Sequence, residues 1–305
     1  MDSADHPLLE IKDLTVERPA GLGDRHIGLR RVSLTLHPGE IVVLAGETGS
    51  GRSLLARLIV GAAGPQVKRL GGTIHFEGRD LLRMKRRDFA ALRRGPVAMI
   101  LGDPAAQLNP DRTVRQWLRD FVRMAGRSAA FPGEKDWNEY FYRVGIIEPE
   151  RILPQTPGDL SPLIVKRLLV MRSLMAGARL LVCDEATAGL DSIAATQFLE
   201  LLCQVREETE MGMLLTTGSL RGVDRYADRL AVFFEGGILE SGPPTRLLEN
   251  PRFAYTREFR ACEPRLGDLP RELPSISREA VREAVREAEE AVHEAATSLG
   301  EGATG

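Results

Sequence analysis

The sequence predicts an α/β fold: a largely parallel sheet covered on both faces, a smaller antiparallel sheet at its edge, and an inserted all-helical segment. Three observations carry this reading. First, "EIVVLA" (40–45), "VAMIL" (97–101), "LLVC" (180–183), "MLLTT" (213–217) and "LAVFF" (230–234) are short aliphatic runs separated by helix-like segments, the pattern of strands buried on both faces. Second, "LLEIKDLTVE" and "VSLTLHPGE" alternate apolar and polar residues between turn signals, as antiparallel strands do. Third, residues 111–178 carry helical periodicity without strand runs, in "VRQWLRDFVRMAG", "WNEYFYRVGII" and "VKRLLVMRSLMAG".

Beyond residue 262 the character changes. "EPRLGDLPRELPSIS" reads as a proline-punctuated linker, and "SREAVREAVREAEEAVHEAATSLG" as a helix with Ser277 at its N-cap. Its narrow stripe of Val281, Val285, Val292 and Leu299 suits either a solvated, charge-laced helix or one that docks on a partner. The domain expectation is therefore a nucleotide-binding domain over 1–262, its helical part at about 103–178, followed by a linker and tail helix over 263–305.

The chain's 305 residues are 43% hydrophobic and 28% charged with net charge −2, which argues for a core of ordinary size and against a nucleic-acid partner. Its three cysteines, Cys183, Cys203 and Cys262, are widely spaced. They form neither a disulfide framework nor a CxxC metal pattern, and Cys183 reads as core. The opening "MDSADHPLLEIKDL" has no apolar signal-peptide region, and no run approaches the ~18 apolar residues of a membrane span. Any membrane role is expected to come through partners.

"GETGSGRS" (46–53) follows a predicted strand and precedes the apolar "LLARLIVG". In that context it is a phosphate loop, Gly46-Glu47-Thr48-Gly49-Ser50-Gly51-Arg52-Ser53, whose backbone N–H groups and helix start cradle phosphates. Arg52 stands at the lysine position. It keeps the charge but replaces a compact ammonium with a wide planar guanidinium. Ser53 would offer its hydroxyl to Mg²⁺. In "LLVCDEATAGLD" (180–191), Asp184 ends a strand, where it could hold Mg²⁺ through water, and Glu185 follows as a candidate base for an attacking water. Asp184, Glu185 and Asp191 also suit packing and dimer contacts.

Over residues 8–262 the chain resembles an ATP-binding subunit of ABC transporters, of the oligopeptide, dipeptide and nickel importer group. "GDPAAQLNP" (102–110) looks like that group's "QDPxxSLNP", and "NPRFAYTREFRACEP" (250–264) is similar to its "NPxxPYTRxLLxxxP"; "YADRLAVFFEGGILESG" (226–242) matches as well. The resemblance implies a P-loop core and ATP held between two ATPase subunits. It also implies two transmembrane permease subunits docked on the helical side, and an extracytoplasmic solute-binding protein acting indirectly. The expected place is the cytoplasmic face of the plasma membrane, as a peripheral subunit. Cys262 stands alone where some relatives carry an iron–sulfur-type cysteine cluster.

Against that pattern the chain departs in five places. Gly102 stands where a glutamine would sense metal and water, and Gly218 where a histidine would contact the γ-phosphate. Arg18 replaces an aromatic that would stack on adenine, although a guanidinium can also lie flat on a ring. Arg52 is the fourth departure. The fifth lies in "GDLSPLIVKR" (158–167): Ser161 is kept, but Pro162 and Leu163 replace the glycines whose N–H groups would grip the partner's γ-phosphate. Ser161 at the N-cap and Pro162 at the first helical position still make a good helix start. These departures imply a subunit that binds nucleotide but hydrolyses it poorly, paired with a more competent ATPase. Two other readings stay open: a scaffold or regulator without transport, and a competent ATPase in which Arg52 substitutes for the missing groups.

Overall fold

A computed structural model describes residues 6–21, 24–125 and 133–262, together with Glu279, Glu283 and Arg286. Those three tail positions are helical; the rest of the expected linker and tail helix lies outside the described residues.

The chain opens with β1 (Leu9–Gly21) and β2 (Asp24–Leu36), which pair antiparallel with several register shifts. Then come β3 (Ile41–Ala45), α1 (Arg52–Ile59), β4 (Lys68–Phe76), β5 (Arg79–Asp80), α2 (Arg86–Leu92) and β6 (Val97–Ile100). Between β6 and the next strand the described residues are helices and turns: α3 (Val114–Ala125), α4 (Trp137–Arg143), α5 (Pro149–Ile152) and α6 (Pro162–Met175). The fold closes with β7 (Leu180–Cys183), α7 (Ser192–Thr209), β8 (Gly212–Thr217), β9 (Arg229–Phe234), β10 (Gly237–Gly242), α8 (Pro244–Glu249) and α9 (Ala254–Ala261).

Two sheets result, ordered β2-β1-β4-β5 and β10-β9-β3-β8-β7-β6. In the larger sheet β3, β6, β7, β8 and β9 are mutually parallel and only β10 runs antiparallel. The five apolar runs are its parallel strands, as expected. The sequence reading missed β4, whose first residues are exposed and whose later Ile74 and Phe76 alone are buried hydrophobics. It also missed β10, which has no fully buried residue. Both strands take their identity from the neighbour they pair with rather than from an apolar run.

The alternation of side chains along each parallel strand divides the core in two. Ile41, Val43 and Ala45 face a cluster built with Trp117, Phe141, Leu168 and Phe198 of the helical side. Val42 and Leu44 face another built with Leu55 and Ile59 of α1 and Leu29 and Phe76 of the edge sheet. Each such buried aliphatic or aromatic contributes about 1.5–3 kcal/mol. The consequence for function is positional. Four adjacent parallel strands, in the order β3, β8, β7, β6, end on one side of the sheet. The chain leaving each of them delivers, respectively, the 46–53 loop, Gly218, Asp184 with Glu185, and Gly102. Carboxyl ends of parallel strands are where open α/β sheets bind ligands.

Candidate functional site: a phosphate loop facing an arginine-paired acidic pair

The 46–53 loop is shaped by close approaches that side chains would forbid. A Cβ on Gly46 would lie 2.5 Å from the Phe233 carbonyl oxygen. Gly51, with φ +107°, would bring its Cβ within 2.9 Å of the Gly28 carbonyl oxygen, and it is the N-cap of α1. Inside the loop the Ser50 amide donates to the Glu47 carbonyl at 3.1 Å, and the Gly236 amide donates to the Ser50 carbonyl at 2.8 Å. From α9, the buried Tyr255 places its hydroxyl 3.4 Å from the Glu47 amide. Burial pushes the Tyr255 phenol up to about 12, so it stays protonated. Part of the 250–264 motif is therefore a strut under the phosphate loop, a role its sequence did not disclose.

Beside the loop opens a cleft of about 460 Å³, lined by Arg18, Thr48, Gly49, Gly51, Arg52, Ser53, Arg57 and Glu185 among others. Its volume lies within the roughly 300–1,000 Å³ of small-molecule sites. Arg18 reaches it from β1, where its Nε donates to His26 Nε2 at 2.8 Å.

The acidic pair lies at the end of β7. Asp184 is 3% exposed; its Oδ1 accepts from the Thr216 hydroxyl at 3.0 Å and its Oδ2 from Arg57 Nε at 3.2 Å. Glu185 has φ +58°, the left-handed region, which costs a non-glycine residue about 1–3 kcal/mol. It is held there by its amide, which donates to Thr216 Oγ1 at 2.7 Å. Thr216 thus holds the Asp184 carboxylate and the Glu185 backbone from the neighbouring strand.

Arg52 turns across the cleft. Nine-tenths or more buried at 4% exposure, it donates from Nη1 to the Thr217 carbonyl at 2.6 Å and from Nη2 to Glu185 Oε1 at 2.5 Å. The two glycines that break the family pattern give this arrangement its room. A Cβ on Gly218 would stand 3.4 Å from Arg52 Nη2, and one on Gly102 would stand 3.1 Å from Glu185 Cβ. The first is ordinary contact and the second a tight one. Three departures that look independent along the chain therefore lie around one ion pair, Gly218 beside Arg52 and Gly102 beside Glu185.

The residues present do not fit a magnesium site of the expected kind. Both Asp184 oxygens already have donors, a guanidinium stands against the one nearest the cleft helix, and Glu185 is paired with another guanidinium. Ser53 lines the cleft without such a carboxylate free beside it.

At the start of α6, Ser161 is the N-cap and its Oγ accepts from the Ile164 amide at 3.4 Å, with Pro162 at the first helical position. Ser161 and Pro162 are exposed and Leu163 is half-buried. One turn on, Lys166 is fully buried; its Nζ donates to the Ala186 carbonyl at 2.7 Å and sits 5.5 Å from the Phe198 ring centre. Burial pushes the ammonium below its ordinary 10.5, against the pull of Cys183 and Glu185. It ties α6 to the residue that follows Glu185. Asp191 caps α7, accepting from the amides of Ile193 and Ala194 at 2.9 Å each, so its presence is explained by structure alone.

Strand, phosphate loop and strand-end acidic pair define the class: a P-loop nucleotide-binding fold with an edge sheet and a helical insertion. The ABC transporter family profile matches residues 29–188, and the chain belongs to that family. It is 34% identical over 260 residues to the peptidoglycan transport ATP-binding protein YejF of Agrobacterium fabrum, covering 85% of this chain and 47% of that protein. To the oligopeptide transport ATP-binding protein OppD of Mycobacterium bovis it is 31% identical over 264 residues, covering 85% of this chain and 42% of that protein. The chain thus spans about half the length, or less, of these two relatives. It covers 79% of a Brucella ovis protein provisionally named for peptide import, at 31% identity over 269 residues.

Solved structures agree on the fold. The cbiO1 protein of Clostridium perfringens, part of an ABC transporter complex, superposes with a TM-score of 0.67 at 22% identity, covering 81% of this chain and 92% of that one. A dimeric ATP-binding cassette bound to ADP and Pi gives 0.66 at 21% identity, covering 77% and 98%. No helix among the described residues is long and apolar enough to cross a membrane.

Proposed function

We propose that this chain is the nucleotide-binding, catalytically impaired ATPase subunit of an ABC importer for peptides, nickel chelates or a similar small solute. It binds ATP in the 46–53 cleft and forms a heterodimer with a more competent ATPase subunit. The pair docks on two permease subunits at the cytoplasmic face of the membrane, served by an extracytoplasmic solute-binding protein. The names of the peptide-import and oligopeptide-transport relatives support the solute class.

The observation that carries the impairment is the Arg52–Glu185 ion pair. A carboxylate bonded to a guanidinium at this distance is a poor acceptor for the proton of an attacking water. Gly102 and Gly218 bring no side chain to orient that water or reach the γ-phosphate, as a glutamine and a histidine at those positions would. Each lost contact to a transferring phosphoryl group costs on the order of 2–4 kcal/mol of transition-state stabilisation. At the opposite composite site, Pro162 offers the partner's nucleotide no amide, so that site retains its chemistry but loses one clamp.

The test is steady-state ATP hydrolysis by the assembled transporter. Glu185→Gln in this chain leaves turnover within about twofold, whereas replacing the partner's glutamate lowers it by 100-fold or more, on the scale of a lost general base. Robust hydrolysis by this chain alone, abolished by Glu185→Gln, would overturn the reading.

A further inference from the structure

We propose that the cleft beside the phosphate loop takes its nucleotide without a divalent cation, with arginine side chains supplying the positive charge that a metal would bring. This rests on the nucleotide-binding reading above and says how the same site manages charge. The carboxylates that would hold a hydrated metal ion are already neutralised from α1: Arg57 Nε lies 3.2 Å from Asp184 Oδ2, and Arg52 Nη2 lies 2.5 Å from Glu185 Oε1. Asp184 is nearly fully enclosed, its side chain 4% exposed, so separating it from Arg57 would strand a buried carboxylate, a costly event. Magnesium sheds its water reluctantly and is usually anchored through one or two carboxylates together with phosphate oxygens. Here it would have to displace two guanidinium contacts to gain that anchor.

The charge of the cleft lining points the same way. Arg18, Arg52 and Arg57 line it together with Glu185. Guanidinium groups stay ionised at any working pH and present several donors in a plane that matches phosphate oxygens. Arg57 meets Asp184 through Nε, which leaves its two terminal nitrogens as donors toward a phosphate. The loop amides and the start of α1 add their own positive potential. Three arginines against the two paired carboxylates leave one net positive charge for a polyphosphate, to which the loop amides add.

The experiment is an equilibrium titration of the full chain with ATP, and separately ADP, in excess Mg²⁺ and in excess EDTA. The expected dissociation constants agree within about threefold, under 0.7 kcal/mol; weakening in EDTA by more than that overturns the proposal. The variant Arg52→Lys/Arg57→Ala frees both carboxylates. It is expected to acquire a preference of about fivefold or more for Mg²⁺; a folded variant with no such preference removes the arginines as the cause and overturns the proposal. Should the variant fail to fold, the wild-type comparison decides alone. Absence of binding in both buffers defeats the nucleotide-binding reading itself, an outcome distinct from binding that needs the metal.

Discussion

The phosphate-loop edge and the start of α6 both depart from the family pattern, yet they depart in opposite ways. At the first, each change has a neighbour within the chain: Arg52 reaches Glu185 and the Thr217 carbonyl, Gly218 lies beside the Arg52 guanidinium, and Gly102 leaves room beside Glu185. At the second, Pro162 stands exposed and Leu163 packs against the main core, with no group among the described residues supplying a donor in place of the Pro162 amide. The helix start keeps its Ser161 cap, with Ser161 and Pro162 exposed and Leu163 half-buried. One region has been rebuilt around a buried ion pair. The other lacks one backbone donor, the Pro162 N–H, and keeps a helix start that proline suits. A buried site must keep its charges satisfied, whereas an exposed helix start need only satisfy its capping.

That contrast can be broken most directly with Arg52→Ala, which strands Glu185 and a carbonyl. It is expected to lower the unfolding free energy in urea by about 2–3 kcal/mol, less than a fully buried pair would lose, because the Glu185 side chain is 36% exposed. Pro162→Gly, by comparison, is expected to cost about 1 kcal/mol or less. Equal costs at the two sites would erase the distinction. A finer test is the double-mutant cycle between Arg52→Lys and Gly218→His. If the glycine exists to house the guanidinium, the histidine is tolerated better beside lysine, with a coupling of about 1–2 kcal/mol; additive effects would separate the two positions. The smallest effect is expected from Ser161→Ala. Its cap bond is long, at 3.4 Å, so thermal unfolding should report a loss of about 0.5 kcal/mol, the low end for an N-cap.

Much of the fold was legible because its signals are local. Aliphatic runs such as "LLVC" and "LAVFF" can be buried on both faces only as strands between helices, and β7 and β9 are such strands. The Ser161-Pro162 helix start was equally readable, since capping depends on neighbouring residues alone. β4 and β10 were not, because each is defined by a neighbour distant in sequence. At the site, the phosphate loop and acidic pair announced themselves by residue type and spacing. Arg57, Lys166, Tyr255 and Thr216 did not: an arginine in the last turn of a helix, a lysine in a helical run, a tyrosine within the 250–264 motif and a threonine near the end of a strand are all commonplace. Their roles appear only through contacts to Asp184, Ala186 and Glu47.

The sequence by itself determined the parallel sheet, the phosphate loop with its unusual Arg52, and the absence of side chains at Gly102 and Gly218. Only the tertiary structure decided that these residues meet, and that the arginine turns toward a carboxylate 133 positions away. The physical reason is one of range. Strand formation and helix capping are settled within a few residues, while the partner of a buried charge is set by which strand ends the sheet brings side by side.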